Sequence, residues 1–299
     1  MIKTIEALGQ PIRVLADEPM KHHTTFRTGG PADIYAIPET PEALAALLAC
    51  LKAEDYPFFI IGNGSNLLVS DQGYRGAVIE IGSAMSRVTV NGQTILAEAG
   101  VKLSALAAAA LEASLTGLEF AAGIPGNLGG AVFMNAGAYG GEMRQVIERV
   151  YVLTADGEFV TRSNEDMAFG YRTSAAKTNG DIVLAAEFRL SAGDAGAIRA
   201  QMDDLAAKRR DKQPLNFPSA GSTFKRPEGY FAGKLIQDAG LSGYQIGGAR
   251  VSEKHCGFII NSGDAVSQDI YDLIVYVTKQ VRARDQVTLE PEVRFLGEF

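Results

Sequence analysis

Residues 123–141, GIPGNLGGAVFMNAGAYGG, decide how the rest of the chain is read. Seven glycines fall within these nineteen residues, with Ile124, Leu128, Val132, Phe133 and Met134 between them. A flexible linker would not carry those apolar side chains. Glycine reaches backbone conformations closed to other residues and lets a second backbone or a ligand come close. The stretch therefore predicts a tightly folded loop that presents main-chain N–H groups to something flat, phosphorylated, or both. A second loop, Gly62-Asn63-Gly64-Ser65-Asn66, has the same character. Two such loops suggest a large nucleotide cofactor held from two sides.

Working outward, Phe58-Phe59-Ile60-Ile61 feeds the shorter loop and Leu67-Leu68-Val69 leaves it. Thr40-Pro41-Glu42 opens a helix: a cap, a proline in the first turn, and an acid near the positive end of the dipole. With strand patterns at 34–37 and 77–81, this makes a strand–helix–strand region whose glycine loop lies at a strand end. Ligands bind at such ends in α/β architectures. The Rossmann fingerprint is absent, because no third glycine opens a helix after Gly62-x-Gly64. Further on, 87–90 and 94–98 form a hairpin around Asn91-Gly92, and 146–154 and 158–161 a second around Ala155-Asp156-Gly157. Residues 103–113, 164–169 and 194–210 read as helices and 182–190 as a strand. Gln213-Pro214, Asn216 and Pro218 then break the chain, which places a domain boundary near 213–216. In the last third Ser267 reads as the cap of an amphipathic helix, and 287–296 alternates like a strand.

A chain of 299 residues has room for two domains. Its net charge of −7 argues against nonspecific nucleic-acid binding, although a local cluster of Arg and Lys can still receive an anionic substrate. The two cysteines, Cys50 and Cys256, cannot by themselves build a disulfide framework or a zinc site. His22, His23 and His255 lack metal-ligand spacing, so no metal is expected. With no apolar leader and no membrane-length apolar run, the expectation is a soluble, cytoplasmic protein that binds neither membrane nor nucleic acid.

Seven segments then occur in a telling order: FRTGGPAD, GNGSNLLVSDQGYRG, GIPGNLGGAVFMNAGAYGGE, GYRTS, SAGSTFKRP, GGARVSEKHCGFIIN and LEPEVRFLG. Together they span residues 26–297, and the chain resembles the UDP-N-acetylenolpyruvoylglucosamine reductase family. The resemblance implies an α+β protein with an FAD-binding domain of the PCMH, or vanillyl-alcohol-oxidase, type. That region would cover 1–213, its core about 27–191, and a smaller C-terminal α+β substrate domain would cover 214–299. It implies noncovalent FAD, NADPH as co-substrate, and reduction of UDP-N-acetylglucosamine enolpyruvate to UDP-N-acetylmuramate for peptidoglycan. The chain looks like the family's shorter form, without the inserted loop whose tyrosine closes over the nucleotide. The oligomeric state stays open, a monomer included.

Several residues carry a plain and a functional reading side by side. The glycine loops are either tight turns or the FAD cradle, through Gly62, Asn63, Gly64, Ser65 and Asn66 and through Gly123, Pro125, Gly126, Gly129, Gly130 and Asn135. Ser222 is either a loop serine satisfying its own backbone or, by resemblance, the proton donor. Arg172 is either a surface arginine or the cation that steadies an enolate-like intermediate beside a carboxylate. Glu292 is either a sheet carboxylate paired with Arg294 or, by resemblance, a catalytic glutamate on the last strand, with Glu290 the lesser candidate. Lys212, Lys225 and Arg226 are either a solvated basic turn or contacts to the substrate diphosphate. Two rival activities fit parts of this pattern: an FAD oxidase passing electrons to oxygen, and a noncatalytic flavin- or nucleotide-binding module.

Overall fold

A computed structural model describes all residues from Met1 to Phe299. The chain divides into two compact units. The first comprises Met1–Leu15, Ile34–Gly62 and Ala77–Arg209, the second Ala16–Asp33, Asn63–Gly76 and Arg210–Phe299. The boundary expected near 213–216 is thus accompanied by earlier crossings after Leu15, Asp33, Gly62 and Gly76. The physical reason lies in long-range pairing. Leu67–Val69 runs parallel to Arg294–Leu296, and Phe26 and Leu68 are fully buried in the C-terminal core. Parallel pairing joins strands far apart in sequence, so no local pattern announces it.

In the first unit a five-stranded antiparallel sheet has the order Phe159–Ser163, Ile147–Leu153, Ile182–Arg189, Thr94–Glu98, Val88–Asn91. Its first hairpin turns one residue later than Asn91-Gly92 suggests. Asn91 pairs with Thr94, so Gly92 and Gln93 make the turn, with Gly92 at φ 57. A glycine first in a two-residue turn suits the primed geometry that follows strand twist. Helix Pro41–Ala53 forms as its cap signal predicts, Thr40 Oγ1 accepting from the Ala43 N–H at 3.1 Å. It buries Leu44, Leu47, Leu48 and Leu51 at helical spacing, each contributing roughly 2 kcal/mol through removal from water. The helix expected at 164–169 is instead a series of turns, and the helix follows it at Ala175–Asn179. The Asp166 carboxylate accepts from the Ser163 N–H and hydroxyl, a local alternative to helical bonding.

In the second unit helix Ser267–Asp285 packs Ile270, Leu273, Ile274, Val277 and Val281 into the core beside helix Ala232–Asp238 and a three-stranded sheet. Ser267 is not the cap. It is the first helical residue, and Asp71 accepts from the N–H groups of Ser267 (2.8 Å) and Gln268 (2.9 Å). A carboxylate there satisfies orphan donors and faces the positive end of the dipole. The strand expected at 287–296 shrinks to Arg294–Leu296, so Glu292 precedes it rather than lying on it. Pro291 has no N–H to give a ladder. No helix of the chain is long and apolar enough to cross a membrane.

Candidate active site

In the first unit the long glycine stretch is more ordered than a loop. A turn leads to Asn127, which opens the short helix Leu128–Phe133. The N–H groups of Leu128 and Gly129 are taken by the carbonyls of Val101 and Ala99, both at 2.8 Å, so these two donors serve the fold. Gly129 is glycine because a Cβ there would stand 3.0 Å from Ala99 Cβ. Gly130 differs: a Cβ on it would meet nothing within 4 Å, which leaves that helix face open.

Asn135 sits at the end of this stretch, fully buried and at φ 43. Its amide nitrogen donates to Gly170 O and to Glu142 Oε2, both at 3.0 Å, and its oxygen accepts from the Arg144 N–H at 3.0 Å. With its side chain committed in this way, it braces the loop, where the sequence reading had it facing the cofactor. The brace reaches Arg172. Gly170 and Thr173 exchange backbone bonds at 3.0 and 3.4 Å around a turn that holds Arg172 at φ 55. The Arg172 Nη2 donates to Gly137 O at 3.4 Å, and Ser174 Oγ donates to Phe133 O at 2.9 Å. An arginine in the left-handed region costs on the order of 1 kcal/mol. The surrounding bonds hold it there and fix where its guanidinium starts.

In the second unit Gly64, at φ 58, permits a close approach of backbone: a Cβ would stand 1.9 Å from His23 O. Its carbonyl accepts from the Thr25 N–H at 3.2 Å. Asn66 ties this loop to Glu292. Its Nδ2 donates to Glu292 O and its carbonyl accepts from the Arg294 N–H, both at 3.0 Å. Glu292 also donates its N–H to Thr223 O at 2.8 Å, Lys225 donates its N–H to Glu290 O at 2.9 Å, and Phe224 lies opposite Pro291. Ser222 is exposed at the head of this paired segment, next to fully buried Thr223, whose hydroxyl accepts from the Ile259 N–H at 3.0 Å.

The basic residues divide. Lys225 pairs with Glu290 at 2.9 Å, and that hydrogen bond and charge hold the Glu290 carboxyl below its usual range. Arg226 lays its guanidinium over the Phe231 ring at 4.1 Å and donates to Tyr230 O at 3.3 Å. Lys212 ends helix Ala195–Lys212, exposed. Glu18 takes the two adjacent histidines, with His23 Nε2 2.9 Å away.

Asn127 escaped the sequence reading. It is buried, its Nδ2 donates to Ile81 O at 3.3 Å, and its Oδ1 has no partner. Gly62 lies against it, a Cβ there standing 3.3 Å from Asn127 Cβ. The signal was present in the order Pro-Gly-Asn before an apolar run, which marks a helix start. A helix-opening asparagine whose side chain makes no cap bond keeps that oxygen for something else. This orphaned acceptor, the side-chain-free Gly62 and the open face at Gly130 fit a large cofactor rich in hydroxyl and N–H donors.

Comparison with known proteins agrees. A model of the FAD binding domain matches residues 32–163. The chain is therefore an FAD-binding oxidoreductase, with α+β architecture in both units. A model of the UDP-N-acetylenolpyruvoylglucosamine reductase C-terminal domain matches residues 213–296. Reductases of that name from Agathobacter rectalis and Caldanaerobacter subterraneus subsp. tengcongensis are each 52% identical. The first alignment covers 100% of this chain and 98% of the relative, the second 96% and 94%. The crystal structure of the Thermus caldophilus reductase superposes with TM-score 0.82 at 35% identity, over 96% of this chain and 100% of that one. Phl p 4.0202, a glucose dehydrogenase, overlays 64% of this chain and 44% of its own at TM-score 0.50 and 17% identity, which shows a shared fold alone. The chain belongs to the UDP-N-acetylenolpyruvoylglucosamine reductase family. It is an FAD enzyme of peptidoglycan synthesis that reduces UDP-N-acetylglucosamine enolpyruvate to UDP-N-acetylmuramate with NADPH as reductant.

Proposed function

We propose that Arg172, Ser222 and Glu292 carry the reduction, which runs in two half-reactions. FAD, bound noncovalently, would supply the hydride relay between NADPH and the vinyl carbon of the enolpyruvyl group. Arg172 sets its planar guanidinium against the substrate carboxylate and steadies the second negative charge that develops as hydride arrives. Glu292 hydrogen-bonds beside that carboxylate and fixes its orientation. The Ser222 hydroxyl gives the proton that completes the reduction at the neighbouring carbon. Lys212, Lys225 and Arg226 receive the diphosphate, with Arg226 already stiffened by the Phe231 ring. Gly62, Asn63, Ser65, Gly123, Pro125, Gly126 and Gly130 line the FAD cradle, joined by Asn127.

The backbone pairing of Glu292 with Thr223, at 2.8 Å, supports this reading most directly. It puts the proposed acid loop and the proposed carboxylate on one rigid strap. The enzyme works in the cytoplasm, and its product feeds wall growth, cell shape and division. Ser222→Ala tests the assignment by stopped flow. Flavin reduction by NADPH is expected to proceed at the wild-type rate while reoxidation by the enolpyruvyl nucleotide is abolished. Equal loss of both halves would overturn the role of Ser222.

A further inference from the structure

Helix Ala195–Lys212 is polar along most of its length and buries only Ile198 completely. Arg209, near its C-terminal end, departs from that pattern. It is half-buried and turned toward the Gly123 turn, where a Cβ would lie 3.3 Å from its Cδ and 3.4 Å from its Nη1. Between helix and turn lies a pocket of about 150 Å³, walled by Phe120, Ala122, Gly123, Tyr139, Met202 and Leu205 as well as by Arg209 itself. Removal from water lowers the pKa of the guanidinium, and the group set against this effect is the Tyr139 phenol, not a carboxylate. Arg199, Asp203 and Glu119 also border the pocket. Glu119 is spent elsewhere, accepting from Thr116 Oγ1 at 2.6 Å and the Gly117 N–H at 2.8 Å.

A desolvated cation without a carboxylate partner costs stability, and such groups are kept where an anion completes them. The walls decide which anion. Arg199 and Asp203 lie on the pocket's rim, while Arg209 is the cation set against the Gly123 turn among Phe120, Ala122, Met202 and Leu205. That combination suits a flat ring system with delocalised charge. A neutral flavin ring bound there would gain one negative charge on accepting hydride, which is a proton with two electrons. Delivery of hydride to substrate removes that charge again. We propose that Arg209 is the counter-cation of the reduced, anionic flavin ring system and raises the two-electron midpoint potential of the bound cofactor. The inference rests on the reading that the Gly123 turn holds FAD.

The test uses purified holoenzyme, its midpoint potential measured by dye equilibration, and FAD and riboflavin affinities measured by fluorescence. FAD binding by the wild type is read first. Its absence would defeat the cofactor assignment before any variant is made. For Arg209→Met the expected result is retention of oxidised FAD with at least tenfold weaker relative binding of the reduced form. For a two-electron couple that is a fall of about 30 mV or more. Arg209→Lys is expected to fall less, and Lys208→Met, on the same helix but outside the pocket and paired with Asp204, to leave the potential in place. If Arg209→Met does not keep its cofactor, Arg209→Gln gives the same reading. An unchanged potential in the neutral variant overturns the proposal. So does an equal fall in Lys208→Met, which would mean generic helix charge, or a loss of FAD affinity without loss of riboflavin affinity, which would mean a diphosphate contact.

Discussion

Arg172 and Glu292 are mounted by opposite means. Arg172 is held in the left-handed region, at φ 55, by a tight turn whose Gly170 carbonyl is gripped by a fully buried asparagine. Glu292 lies in extended chain, strapped through its own N–H and carbonyl to Thr223 and Asn66. The first mount stores strain and depends on one buried side-chain network. The second divides its support between a backbone bond to Thr223 and a side-chain bond from Asn66, so no single side-chain deletion removes both. A cation that must meet developing charge benefits from a fixed starting point, since preorganised groups need no rearrangement as the reaction proceeds. The two mounts should therefore fail differently.

The largest effect is expected from Arg172→Met. Reoxidation of reduced enzyme by the enolpyruvyl nucleotide should fall by about 10³-fold, while flavin reduction by NADPH and the melting temperature stay close to wild type. Arg172→Lys should recover little, because an ammonium cannot reproduce the planar fork. A loss confined to the NADPH half-reaction would remove Arg172 from the substrate side. Next comes the contrast between the two braces. Asn135→Ala deletes buried bonds to Gly170, Glu142 and Arg144 and should cost roughly 3 kcal/mol in denaturant unfolding. Asn66→Ala should cost about 1 kcal/mol and act mainly on turnover, because the Thr223 bond still holds Glu292. Equal destabilisation by the two changes would erase the distinction drawn between the mounts.

The smallest effect separates the mounts by pH. His255 Nδ1 accepts from the Gly257 N–H at 3.1 Å, and Gly257 O accepts from the Thr223 N–H at 2.8 Å, so this turn backs the Glu292 strap. Burial lowers the His255 pKa below its ordinary value of 6.5. The unfolded chain then binds the proton first, and the neutral ring's contribution is complete above 6.5. It is lost as pH falls from there to the folded-state pKa. His255→Gln should flatten the loss of stability on acidification through that window without touching the Arg172 turn. A variant with the wild-type slope would show that His255 does not set it.

Legibility tracked distance along the chain. Helix Pro41–Ala53 was readable because its cap, its proline and its apolar spacing all lie within a dozen residues of one another. Both hairpins were readable from their turn residues, although the first slipped by one because Gly92 rather than Asn91 took the leading turn position. Three misreadings arose where a side chain outbid the local pattern. Ser163 and Asp166 closed a turn where a helix was expected, Asp71 capped the helix credited to Ser267, and Pro291 shortened the last strand ahead of Glu292. Asn135 reads in sequence like any loop asparagine, and only its three buried partners make it a brace.

The sequence by itself determined the glycine-rich segments, the two-part α+β character, the family and the residue types available for an anionic substrate. Those properties belong to short stretches, and glycine spacing, caps and alternation act over a few residues. The tertiary structure alone decided that residues 16–33 and 63–76 belong with the C-terminal third. It alone joined Asn66 to Glu292 and left Asn127 with an unmet acceptor and Arg209 with an unmet charge. Burial and pairing are properties of neighbours in space, and the chain supplied those neighbours from more than two hundred positions away in the case of Asn66 and Glu292.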